Sequence, residues 1–177
     1  MDIYEYLKMD HDHLSLLFKQ FKSYEDKLRQ QQIVELIAKE LFAHDKAEQE
    51  TFYTALGKYA KTKEDAAHGR KEHREIEDQV QTILQAKPFG TLWLNNIKKL
   101  QDLVDSHVKE EESTVFKKAK LVLSEEEAYS LKKDMHNLKQ QLLLRGLPMK
   151  TTPSASELLL GAQQSSKQKD GSRRLHR

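Results

Sequence analysis

The chain has 177 residues, with 30 Lys and Arg against 28 Asp and Glu, and a formal charge of +2. That balance is too small to draw nucleic acid by charge alone. It contains no cysteine, which excludes disulfides, thiolate metal ligands, iron–sulfur ligation by Cys and thiol catalysis together.

Only six Gly and three Pro occur in a chain that is 37% apolar and 33% charged. Many short strands joined by turns need more of both turn formers, so amphipathic helices with solvated outer faces are expected. No apolar run approaches the roughly 20 residues of a membrane span. The opening Met1-Asp2-Ile3-Tyr4 lacks the basic and then apolar character of a leader. The expectation is a cytoplasmic protein with neither a membrane nor a nucleic acid as partner.

Five helical stretches follow from the spacing of apolar residues. The first is expected over about residues 2–28, with Ile3, Leu7, Leu14, Phe18 and Phe21 on one stripe. A second, over about 31–59, turns Ile33, Ile37, Leu41 and Phe52 inward. A third, over about 62–86, carries Ile76, Val80, Ile83 and Leu84, and Lys87-Pro88-Phe89-Gly90 stops it. A fourth, over about 92–119, carries Trp93, Leu100, Leu103 and Val104. Ser124 with Glu127 forms a capping-box start for a fifth, reaching about residue 144.

Four helices of about 25 residues, each near 40 Å long, joined by short connections, imply an antiparallel up-down four-helix bundle. The fifth, C-terminal helix is expected against one end or side. This all-α domain would occupy residues 1–145. Residues 146–177, rich in Ser, Gln and Lys, bury too little surface to offset ordering entropy and read as a disordered tail.

Two copies of one pattern carry the chemistry: His44 four residues before Glu48, and His107 four before Glu111. Positions i and i+4 share a helix face, so each pair can serve one centre. The spacing alone is weak, because His68 with Glu72 and His73 with Glu77 repeat it. Direction is the sharper test. At about 100° per residue, His11, His44, His73 and His107 fall on the apolar stripes, one per bundle helix. His13, His68 and His136 fall off them, and His176 is in the tail. Glu48 and Glu111 lie on the same inward faces. Two carboxylates in one core ask for a cation or for protonation. The alternative is a layer of polar groups satisfied by their own hydrogen bonds.

These segments resemble the hemerythrin-like family of HHE cation-binding domains, over roughly residues 1–145. "LKMDHDHLSLLF" resembles its opening segment at His11, and "ELFAHDKAEQETFYTAL" its second-helix signature at His44 and Glu48. "GRKEHREIEDQV" is similar to the third-helix segment at His73, and "SHVKEEESTVFKKAK" to the fourth at His107 and Glu111.

The resemblance implies two non-haem iron ions bridged by Glu48 and Glu111, with the histidines as terminal ligands. It also implies room for a small ligand such as O₂, NO or peroxide. Mn and Zn remain compatible with the same donors. The function implied is binding or sensing such a ligand, or handling iron under oxidative or nitrosative stress. A di-iron oxidase or peroxidase, and a helical scaffold with a structural metal layer, stay open beside it.

Three departures bear on this. Oxygen-carrying relatives place a second His on the third helix where this chain has Glu77, read here as an edge residue rather than an added ligand. That argues against reversible oxygen carriage. Prolines common in the family are replaced by Thr54 and Lys117, which bears on where those helices bend. The Cys-bearing N-terminal segment of the iron–sulfur repair relatives is missing, which argues against that role.

Overall fold

A computed structural model describes residues 1–147. The order is α1 (Ile3–Ser23), α2 (Lys27–Glu50), α3 (Phe52–Leu56), α4 (Lys63–Gln85) and α5 (Thr91–Glu110). A π-helical turn (Glu111–Val115), α6 (Phe116–Ala119) and α7 (Glu125–Arg145) complete it. The fold is all-α: an antiparallel four-helix bundle of α1, α2, α4 and α5 with its extensions, plus a C-terminal helix. None of these helices is long and apolar enough to cross a membrane.

The helix ends follow from their caps. Asp2 accepts from Glu5 N while Glu5 reaches back to Asp2 N, a reciprocal box that starts α1. The expected first helix overran: α1 stops at Ser23, because the Asp26 side chain accepts from Arg29 N at 2.7 Å and starts α2 at Lys27. Ser124 and Glu127 form the capping box of α7 as expected. At the turn before α5 the left-handed position is taken by Phe89, φ 68°, and not by the adjacent Gly90. Its ring lies 5.4 Å from that of Trp93.

Two helices expected to be continuous are interrupted beside the bundle's polar centre. The second breaks at Thr51, whose hydroxyl donates to Ala47 O at 2.7 Å, a local bond that competes with the helical ladder. The short α3 beyond it drives Phe52, Tyr53 and Leu56 fully inside. The fourth widens at Glu111, where Phe116 N–H bonds back five residues to Glu111 O. Leu84, expected inward, is 40% exposed. It stands about 100° round the helix from buried Ile83, off the seam that Ile76, Val80 and Ile83 occupy.

The core has two apolar halves. One gathers Leu14, Phe18, Leu41, Ile76, Leu100 and Val104 with their neighbours. The other gathers Ile3, Leu7, Phe52, Tyr53, Ala66 and Val115. On every bundle helix the inward histidine lies between its contribution to one half and to the other. A polar layer is therefore sealed at both ends by side chains worth about 1.5–3 kcal/mol each in burial. α7 packs along the side of the bundle on α1 and α2, with Met135 fully buried. Gly146, φ 77°, ends it, and Leu147 turns back onto the first half of the core. The expected disordered tail lies, from residue 148 onward, outside the described residues.

Candidate metal centre

All six residues selected by helix phase meet in the polar layer. His11, His44, Glu48, His73, His107 and Glu111 are each 0–4% exposed. Their inward atoms converge. His73 Nε2 is 3.0 Å from His107 Nε2 and 3.3 Å from Glu48 Oε2. His44 Nε2 is 3.5 Å from Glu48 Oε2, and His11 Nε2 is 3.2 Å from Glu111 Oε2. Glu48, His73 and His107 offer donor atoms within 4.8 Å of one another. The rejected histidines behave as their phase predicts. His13 and His68 are exposed, and half-buried His136 bonds Tyr6 OH at 3.2 Å, away from the centre.

The outer nitrogens are held from behind. His11 Nδ1 faces Glu112 Oε1 at 2.9 Å, His44 Nδ1 faces Asp10 Oδ2 at 3.2 Å, and His107 Nδ1 faces Glu72 Oε2 at 2.8 Å. A carboxylate only accepts, so each of these imidazoles holds a proton on Nδ1, and in its neutral form turns the Nε2 lone pair inward. That is the tautomer a metal needs. His73 Nδ1 instead meets the Gln49 amide at 3.2 Å, which can serve either tautomer by its orientation. Tyr53 donates to Glu111 Oε1 at 3.0 Å.

Four buried polar atoms are left without a hydrogen-bond partner in this layer: His11 Nε2, both oxygens of Glu48, and Glu111 Oε2. A self-satisfied hydrogen-bond layer would not orphan its central carboxylate, since each such atom costs about 1–3 kcal/mol. The orphaned set is imidazole nitrogen and carboxylate oxygen, which suits a divalent cation of the iron, manganese or zinc kind.

Charge points the same way. Burial, then the charge of Glu111, raise Glu48 well above the usual carboxylate range. Burial presses on Glu111 too, but its close neighbours Glu48, His11 and His107 outweigh it and hold the carboxyl well below that range. His73 is pushed well down by burial and the neighbouring imidazoles, and burial likewise lowers His44. Burial opposes the charged forms of His11 and His107 as well. Their carboxylate partners outweigh it and hold both above the ordinary value.

Several residues of this neighbourhood carried no legible sequence signal. Asp45 is buried 3.9 Å from His73 Nε2, and burial raises its carboxyl to about 7. Lys139, buried on α7, reaches Asp10 Oδ2 at 2.8 Å and Glu40 Oε2 at 3.2 Å. Asp10 is lowered to about 2, because His44 and Lys139 together overcome its burial. Glu77 stays at the rim, its side chain 34% exposed and paired with Lys46 at 3.7 Å. Beside Asp45, α2 and α4 leave a shallow cleft whose wall joins Leu41, Phe42, Ile76 and Val80 to Lys46, Gln49, Glu77 and Gln81. A second acid–imidazole group, His68, Glu72 and Glu110, lies at the surface. There Glu72 stands 3.5 Å from His68 Nε2 on its outer side and accepts from His107 Nδ1 on its inner side.

Comparison with known proteins bears on the fold and the family. A DNA nickase of Nostoc sp. (strain PCC 7120) is 28% identical over 127 residues, which are 72% of this chain and 36% of that protein. The chain thus spans little more than a third of that relative's length. The crystal structure of a hemerythrin HHE cation-binding domain-containing protein from Mycobacterium kansasii matches with a TM-score of 0.72 at 20% identity. That match covers 82% of this chain and 89% of the other, and shows the shared fold. The family model for the hemerythrin HHE cation-binding domain matches residues 2–119, a span that contains all six inward residues. The chain belongs to the hemerythrin HHE cation-binding domain family.

Proposed function

We propose that this protein holds two non-haem iron ions on His11, His44, Glu48, His73, His107 and Glu111, and uses them to bind or sense O₂, NO or peroxide. The observation that carries this reading is the orphaned Glu48 carboxylate, fully buried between imidazoles with neither oxygen hydrogen-bonded. Its Oε2 lies 3.5 Å from His44 Nε2 and 3.3 Å from His73 Nε2, so Glu48 would be one of the residues shared by the two ions. Bound iron would supply a Lewis-acidic centre capable of one-electron redox change. The chain's own part is to aim four imidazoles, to fix the protons of three of them on Nδ1, and to exclude bulk water with two apolar half-cores.

The test is Fe(II) titration of the full chain without oxygen, followed by optical spectra after O₂ or NO is added. About two ions per chain and a persistent ligand-to-metal band support binding or sensing. Rapid bleaching with consumption of a reductant supports the oxidase or peroxidase reading. No metal uptake leaves a helical scaffold. His44→Ala should lose at least half of the bound iron while keeping its helical circular dichroism.

A further inference from the structure

We infer that Gln49 is a positioning residue with two settings, donating to His73 Nδ1 in the metal-free protein and accepting from it once metal is bound. The inference rests on the two-ion reading above and deepens it. Three of the four inward imidazoles are backed by carboxylates: His11 by Glu112, His44 by Asp10 and His107 by Glu72. His73 is backed by an amide instead, with Gln49 Nε2 3.2 Å from its Nδ1.

The direction of this bond follows from its neighbours. Glu72 only accepts, so His107 holds its proton on Nδ1, and neutral His107 turns a bare Nε2 inward. His73 Nε2 lies 3.0 Å from that nitrogen, so His73 supplies the hydrogen between them. A neutral His73 with its proton on Nε2 has a bare Nδ1. The NH₂ group of Gln49 is then the donor that Nδ1 requires. In this form His73 is blocked, because its proton occupies the nitrogen that faces Glu48 Oε2 at 3.3 Å.

Metal binding reverses the chain. His73 gives up the hydrogen on Nε2 and takes one on Nδ1, a tautomer exchange that leaves its charge unchanged. Gln49 then turns its amide by half a turn and accepts from Nδ1–H through Oε1. The main chain need not follow, because the Gln49 carbonyl is pinned by Arg70 Nη2 at 2.9 Å and by Thr54 Oγ1 at 2.8 Å. An amide carries a donor and an acceptor on one rotor, so it serves both states. A carboxylate would fix the metal-binding tautomer, and an apolar side chain would support neither. A neutral amide oxygen is also a weaker acceptor than a carboxylate and raises the basicity of His73 less. The ion on the His73–His107 side is therefore the more weakly held of the two.

The experiment first records two-bond proton–nitrogen correlation spectra of the imidazoles in metal-free wild type and Gln49→Glu, at a pH where the rings are neutral. His73, identified by the signals that His73→Gln removes, should carry its proton on Nε2 in wild type and on Nδ1 in Gln49→Glu. Both proteins, with Gln49→Leu, are then loaded with Fe(II) under nitrogen and compared by chelator competition and Mössbauer spectra. Gln49→Glu should bind its weaker ion about tenfold more tightly and Gln49→Leu about tenfold less tightly, with one of two quadrupole doublets altered. A wild-type His73 protonated on Nδ1 without metal would overturn the two settings. Wild-type affinity and doublets in both variants would overturn Gln49 and leave the six-residue centre standing. A wild type that takes up no iron would overturn the centre, and the second setting of Gln49 with it.

Discussion

Tyr53 donates its phenol hydrogen to Glu111 Oε1 at 3.0 Å, across 58 positions of sequence. The break at Thr51 makes this possible, because the short α3 beyond it aims Tyr53 back at the polar layer. The bond occupies one oxygen of Glu111 and leaves Oε2 facing His11. Tyr53→Phe should keep the fold and weaken metal binding by about 10–100-fold, the usual scale for losing an outer partner of a ligand. Chelator competition measures this, and an affinity within twofold of wild type would contradict the assigned role.

Gly69 makes the same point from the opposite helix. A Cβ built there would stand 2.5 Å from both Cζ and the hydroxyl of Tyr53, so any side chain displaces a ring that has no free space. In an exposed helix interior, Gly→Ala is worth about 1 kcal/mol of added stability. Here Gly69→Ala should lower the melting temperature and reproduce the metal defect of Tyr53→Phe. A more stable variant with unchanged affinity would show that the ring relaxes freely.

The helix phases made the six inward residues legible, because each lies on the stripe that also carries buried apolar neighbours. Their supports were not legible for a related reason. Asp10, Asp45, Glu72 and Glu112 each flank an inward histidine or carboxylate by one residue, about 100° round the helix. That is where a solvated side chain is expected. Only the packing of a second helix over that flank buries or half-buries them. The interruptions at Thr51 and Glu111 escaped as well, since neither Pro nor Gly marks them. Lys139 lies on α7, beyond the residues 2–119 that the family model matches, so no pattern tied it to the centre.

Lys139 neutralises Asp10 and Glu40 from a site that is itself almost fully buried. Removing one partner of a buried ion pair costs about 3–5 kcal/mol, because the other charge stays behind. Lys139→Met should therefore destabilise the protein by that order in urea unfolding. It should also weaken metal binding, since Asp10 orients His44. Lys139→Met with Asp10→Asn together should recover much of the stability but not the metal affinity. Unchanged stability in the single variant would contradict the ion-pair account.

Without metal, stability should fall as pH rises above about 6.5. Groups with lowered folded values, His44, His73, Asp10 and Glu111, act only below their ordinary values of 6.5, 3.8 or 4.5. Glu48, Asp45, His11 and His107 are raised. The stability they contribute is complete below their unfolded values and lost as pH passes through the folded ones. Above pH 6.5 and short of the tyrosines, these raised groups set the trend. Redox-inert Zn(II) replaces the protons and should reverse the trend. Thermal unfolding from pH 6.5 to 9, with chelator and with Zn(II), checks it. A metal-free protein that gains stability across that window would contradict the charge assignment.

The most direct test of the two-ion centre is an anomalous difference map, collected at the iron edge from crystals of Fe(II)-loaded protein. The account predicts two peaks inside the bundle, each about 2.0–2.2 Å from histidine Nε2 atoms. One should lie by His11 and His44 and the other by His73 and His107, with Glu48 and Glu111 reaching both. A single surface peak at His68 and Glu110, or no peak among the four imidazoles, would contradict it.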